Sequence, residues 1–151
     1  MTTPLRPASE RRREALRRLE HDVDGWVATA RDDMPFLAPL SFLWDGATLL
    51  ISIPTASPTG RNLLKNGKVR VSVGEHRDVV LVTGDASPID VADIAKDIGD
   101  AFAAKCGFDP RGFKTPFTYF RIVPTRLQAW RGVPEVEGRD LMRDGVWLVE
   151  G

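Results

Sequence analysis

Apolar and polar positions alternate most strictly over residues 68–74, KVRVSVG, where Val69, Val71 and Val73 fall on one side and Lys68, Arg70 and Ser72 on the other. A period of two predicts a half-buried strand. Less regular apolar runs predict further strands at residues 25–30 (GWVATA), 36–44 (FLAPLSFLW), 47–53 (ATLLISI), 79–86 (VVLVTGDA) and 117–130 (FTYFRIVPTRLQAW). Asp45-Gly46 predicts a hairpin between the second and third of these in chain order, because that pair tolerates positive φ. Arg31-Asp32-Asp33-Met34 before Pro35 reads as a polar turn. Pro39 and Pro124 each remove a ladder donor and mark an edge or a bulge, and Gly84 points to a bulge.

Helical periodicity is confined to three places. Ser9 is the expected N-cap of a helix reaching about His21, with Ala15, Leu16 and Leu19 as a narrow apolar stripe that lies on the domain rather than at its centre. A short helix at 59–65 is closed by Asn66-Gly67. The strongest expectation is a helix from Ser87 to Cys106, with Ser87 as N-cap, Pro88 at its first position, Asp90 at its third, and Gly107 ending it. Its buried stripe would be Val91, Ile94, Ile98, Ala101 and Phe102. About six strands in hairpin order with two or three helices predict an all-β/α+β fold, a β-barrel with helical covers. A doubly wound fold fits less well: the strands are not each followed by a helix, and no GxGxxG follows the first.

Charge narrows the partners. The 151 residues hold 21 Lys and Arg against 21 Asp and Glu, so no bulk field recruits nucleic acid. The distribution is uneven: Arg6, Arg11, Arg12, Arg13, Arg17 and Arg18 crowd the first twenty residues. Cys106 stands alone, which excludes an internal disulfide and fits a reducing compartment. The opening MTTPLRPASERRR has no apolar signal-peptide core, and no apolar run reaches membrane-spanning length. The expectation is a cytoplasmic protein with no membrane partner.

Candidate chemistry is concentrated in SPTGRN, residues 57–62. His21 and His76 are the only histidines; nothing pairs them with Cys106, and no metal-ligand spacing occurs. No catalytic side chain stands out, although Tyr119 is a possible proton donor if it is not simply packed. With Ser57 capping and Pro58 opening a helix, the amides of Thr59, Gly60 and Arg61 would face outward without helical partners, and the dipole there favours an anion. Ser57 and Thr59 add hydroxyls, Gly60 allows close approach, Arg61 adds a forked cation, and Asn62 caps locally or reaches a ligand. A plain Ser-Pro helix start has the same composition, so the two readings stay open. QAWRG, residues 128–132, offers Trp130 and Arg131 to flank a planar ring, or Trp130 for a core or an interface.

Taken in order, GWVATARDDMPFLAPLSFLWDGATLLIS, SPTGRNLLKNGKVRVSVG, VVLVTGDA and YFRIVPTRLQAW resemble the split-barrel flavin-binding proteins related to pyridoxamine 5'-phosphate oxidase. They are most similar to the branch that includes F420-dependent oxidoreductases. The resemblance covers residues 23–132, with a helix at 1–22 and a tail at 133–151 that packs on the domain or on a partner. It implies a homodimer of six-stranded split barrels with two cofactor sites at the interface. Ser57, Thr59, Gly60, Arg61 and Asn62 would meet the phosphate. Pro39, Leu40 and Ser41 would lie beside the isoalloxazine or deazaflavin ring, and Trp130 and Arg131 would approach the cofactor from the partner. Many relatives carry Lys where this chain has Thr59, so one cationic phosphate contact is missing, and the full signature of the vitamin B6 oxidases is absent. The expected function is an F420- or FMN-dependent oxidoreductase acting on a small-molecule redox substrate, with the arginine-rich helix leaning toward the anionic tail of F420. The alternatives are a flavin- or F420-binding carrier or sensor without turnover, and a structural dimer with an empty groove.

Overall fold

The computed structural model describes residues 4–151. In chain order its elements are α1 (Ala8–His21), β1 (Asp24–Arg31), β2 (Met34–Ser41), β3 (Leu43–Trp44), β4 (Leu49–Pro54), α2 (Pro58–Asn66), β5 (Lys68–Glu75), β6 (Asp78–Asp90), α3 (Lys96–Cys106), β7 (Phe117–Trp130), β8 (Asp140–Arg143) and β9 (Val146–Trp147). The strands form one antiparallel sheet in the order β2-β1-β5-β6-β7-β4-β3, with β8 added to β7 and β9 to β8. The sheet curls, yet β2 and β3, the ends of its main path, are not paired, which leaves a half-barrel. The two extra C-terminal strands and the separate β3 raise the six expected strands to nine.

β6 and β7 pair from Val79 opposite Trp130 to Asp90 opposite Thr118. Their register shifts between Thr83, opposite Arg126, and Gly84, opposite Pro124, so Thr125 is the extra residue of a bulge. A side chain at Gly84 would put its Cβ 2.5 Å from the Val123 carbonyl oxygen, so only glycine fits. Before the bend, β6 pairs with β5 and leads to β1 and β2; after it, β7 pairs with β4 and leads to β3. Pro39 lies, as expected, on an edge strand.

Three expectations fail for identifiable reasons. Ser87, Pro88 and Asp90 do not begin a helix; they continue β6 opposite Arg121, Phe120 and Thr118, and α3 starts at Lys96. The ladder with β5 ends at Asp85, so Pro88 lies where one side of the strand is open and its missing N–H costs little. Local capping chemistry gave way to a long neighbouring strand. Asp90 instead accepts from the Ala92 amide (3.0 Å) in the turn that follows, and Ala101 is exposed. The second predicted strand breaks at Phe42, which is 1 % exposed and whose amide turns to the Val23 carbonyl (2.9 Å). α1 begins at Ala8 after Pro7, so Ser9 lies inside the helix rather than capping it.

Val27, Ile51, Val71, Val82 and Leu127 fill the curl, with Ala15 and Leu19 of α1 and Leu141 of β8 packed into the same core. α3 builds a second cluster in which Phe102 meets Tyr119 edge-on at 5.4 Å. Among the described residues no helix is long and apolar enough to cross a membrane.

Three arginines of the helix expected to lean toward an anionic cofactor tail fasten the chain to itself. Arg11 donates to the Glu135 carbonyl (3.0 Å), Arg12 stacks 4.1 Å from the Trp147 ring centroid, and Arg18 pairs with Asp78 (3.2 Å). Arg6 forks onto the buried Glu135 carboxylate at 2.6 and 3.0 Å, which also accepts from the Arg131 amide (2.8 Å). The Arg6 hydrogen bonds are the main cause holding the Glu135 carboxyl down to about 2, and they outweigh burial, which pushes it up. A depressed carboxylate contributes its full stability above its ordinary value and loses it as pH falls toward the folded value. The contribution should therefore be intact near neutrality and decline between about pH 4.5 and 2. Glu135→Gln should cost about 3 kcal/mol at pH 7 and flatten that part of the acid decline. Urea titrations across the pH series test both; a neutral variant with an unchanged acid profile would contradict the role.

Candidate functional site

The sequence SPTGRN opens α2 as its residue types dictate. Ser57 is extended and its Oγ accepts from the Gly60 amide (3.1 Å); Pro58 follows in the first turn, where its missing N–H costs nothing. The Arg61 amide reaches the Ser57 carbonyl (2.9 Å). Two of the three amides expected to face an anion are thus committed to the cap. The Thr59 amide alone has no partner among the described residues. The cradle is narrower than the sequence suggests because the cap residue competes for the same donors.

Neighbouring residues prove largely structural. Gly60 is buried, and a Cβ there would lie 2.7 Å from both the Pro54 and Thr55 carbonyl oxygens. The close approach that needs glycine is thus made by the chain's own backbone. Asn62 is 1 % exposed and donates from Nδ2 to Thr29 Oγ1 (3.0 Å), tying α2 to β1, while its Oδ1 has no partner among the described residues. Gly67, at φ 67°, ends the helix.

Arg61 is exposed and makes no ion pair among the described residues. It borders a cleft of about 260 Å³ together with Pro58, Phe36, Met34 and Arg31. Arg31 is a cation that linear reading missed. It ends β1 at a tight hairpin whose Asp32 and Asp33 have φ of 50° and 62°, and its ion pair to Asp32 is long at 3.8 Å. The only signal for it was the Arg31-Asp32-Asp33-Met34 turn; the return of that turn to α2 is tertiary. Asn66 Nδ2 donates to the Ala30 carbonyl (3.3 Å) and fixes the two elements side by side.

The remaining candidates divide between the faces of the sheet. Opposed residues share a face, so Trp26, Pro39, Ser72, Leu81 and Gln128 form one outward row. A groove of about 770 Å³ runs there between Trp26 and Trp130. Ser41 donates to Asp24 (2.7 Å), whereas Leu40 packs against the core. Arg131 is held by Glu14 (2.6 Å) and Asp78 (3.2 Å), away from the Trp130 ring. Among the described residues, the cleft at Arg61 and the groove at Trp130 share no lining residue.

Acid, base and nucleophile roles find little support. Tyr119 is fully buried beneath α3, and its hydroxyl has no partner among the described residues. Burial pushes the Cys106 thiol up to about 11, so thiolate is scarce at neutral pH. The self-packing role of Gly60 gives a direct test. Gly60→Ala should lower the stability of the cofactor-free protein by about 2–3 kcal/mol in urea unfolding; unchanged stability would return Gly60 to a ligand-facing role.

Comparison with known proteins agrees with this architecture. A Listeria innocua protein provisionally assigned as a pyridoxamine 5'-phosphate oxidase superposes with a TM-score of 0.63 at 22% identity, covering 78% of this chain and 95% of its own. A protein described as an F420 reductase gives 0.61 at 22% identity, over 74% of this chain and 93% of its own. A FAD-binding protein from Mesorhizobium loti gives 0.57 at 21% identity, over 76% and 89%. At these identities the likeness speaks for the fold. No curated protein matches the chain. The pyridoxamine 5'-phosphate oxidase family pattern matches residues 12–131, most of the chain, and the protein belongs to that family.

Proposed function

We propose that two copies of this chain form a flavin or deazaflavin site, and that the protein is an FMN- or F420-dependent oxidoreductase acting on a small-molecule redox substrate. The observation that carries this reading is the cleft beside the α2 N-terminus, where Arg61 and Arg31 face one space with no strong ion pair between them and a carboxylate. Guanidinium forks suit phosphate oxygens. Arg31 supplies from β1 the second charge that Thr59 lacks. The free Thr59 amide adds a neutral donor, so these residues fit a phosphate, though with fewer backbone contacts than an uncapped helix start would give.

The outward row through Trp26 and Pro39 offers an apolar bed for a planar ring, with Leu37 (64 % exposed) on the same face. Its separation from the cleft within one chain supports a site completed by a second copy. Bound there, the cofactor would supply hydride chemistry, while the chain's residues would hold the phosphate, orient the ring and exclude water. The Leu40 and Arg131 side chains would act indirectly, the first by packing β2 and the second by anchoring the end of β7. A binder without turnover is the second reading, favoured by the two cap-committed amides and the absence of an exposed acid or base in the cleft beyond Asp32.

Titration of the purified protein with FMN and with F420, followed by fluorescence, tests the reading. Arg61→Ala and Arg31→Ala should each weaken the bound cofactor by roughly tenfold to a hundredfold, as expected for a charge-assisted contact, with the mass in solution unchanged by light scattering. Wild-type affinity in both variants would contradict the phosphate seat. Failure to bind either cofactor would contradict the reading as a whole.

A further inference from the structure

The sheet separates two hollows at the junction of β6 and β7. Val79, Leu81 and Trp130 face the outer groove. Val80 and Ala129, on the opposite face, help floor a cavity of about 330 Å³ between α1 and the sheet. The resemblance turned Arg131 and the arginine-rich helix toward a cofactor, whereas this cavity shares no lining residue with the outer groove or with the cleft at Arg61.

Its walls are rich in guanidinium groups. Arg17 and Arg18 come from α1, Arg131 from the end of β7, and Arg6 from the segment ahead of α1. Four carboxylates answer these four arginines, one of them being Glu135, which lies outside the cavity and takes the Arg6 fork. Glu14 lies 2.6 Å from both Arg6 and Arg131, and Asp78 lies 3.2 Å from both Arg18 and Arg131. Asp22 is 3.8 Å from Arg18. Because Glu14 and Asp78 are each divided between two arginines, donors remain. Among the described residues, Arg17 makes no ion pair or hydrogen bond, and Arg131 Nη1 has no acceptor. His21, also without a partner, stands on the same wall one turn from Arg17 and Arg18. The hollow therefore combines unused forked donors, a small apolar floor that includes Ala15, and an opening to solvent.

We propose that this cavity binds a small organic oxyanion, a carboxylate or a phosphate, through Arg17 and Arg131, at a site separated by the sheet from the outer groove. A guanidinium fork recognises either group in the same planar way. The floor of Ala15, Val80 and Ala129 would accept a short carbon skeleton. Arg6, Arg18, Glu14 and Asp78 position the two binding arginines by holding α1 against β7. A ligand there would join α1 to the strand end and would tighten the same contact that these ion pairs already make.

Calorimetric titration of the full chain with inorganic phosphate and with succinate tests this. Arg17 is exposed and unpaired, so Arg17→Ala should fold normally, which circular dichroism checks. Arg13→Ala removes an exposed charge from the same helix outside the cavity. Saturable binding of either anion that weakens at least tenfold in Arg17→Ala and less than twofold in Arg13→Ala supports the site. Tighter binding of succinate would identify a carboxylate as the natural group, and tighter binding of phosphate a phosphoryl group. No saturable binding of either anion, or equal weakening in both variants, would overturn it.

Discussion

The antiparallel pairing of β6 with β7 organises the molecule. These two strands run through both halves of the sheet, and the bulge at Gly84 and Pro124 turns one half against the other. Without the bend, β5, β1 and β2 would continue flat from β4 and β3, and no curl would exist to bury Val71, Val82 and Leu127. The 2.5 Å approach of the Val123 carbonyl to the space where a Cβ would lie at Gly84 makes that bend dependent on one glycine. The outer groove and the cavity under α1 lie on opposite faces of this same pair.

Charge is used mainly to fasten the chain ends onto that sheet. Glu135 gathers the Arg6 side chain and the Arg131 amide, while Glu14 and Asp78 each bridge two arginines. A buried carboxylate tolerates this position because several donors compensate its desolvation. The arginine-rich start of the chain, which as a sequence looks like a surface for an anionic tail, is therefore largely a clamp. Among the described residues, what is left over is Arg13, Arg17 and one edge of Arg131.

Much of the fold was legible in the sequence. The strict alternation of 68–74, the apolar 117–130 run, the Gly84 bulge and the Ser57–Pro58 helix start all depend on neighbours within a few residues. What was illegible depended on distant partners. Ser87-Pro88-Ile89-Asp90 has good helix-start chemistry, yet β7 supplied a ladder that outcompeted it. Asn62 and Gly60 looked ligand-facing until Thr29 and the Pro54 and Thr55 carbonyls were brought beside them. Arg31 was invisible as a site residue because only the β1–β2 hairpin returns it to α2.

The central functional claim is that a cofactor phosphate sits between Arg31 and Arg61, with its ring on the outward face shared by two copies. A crystal structure of the protein grown with FMN or F420 tests it most directly. The account predicts phosphate oxygens within hydrogen-bonding distance of both guanidinium groups and of the Thr59 amide, at a contact between two chains. A phosphate lodged instead in the arginine-lined cavity under α1, or a cofactor held within one chain away from α2, would contradict it.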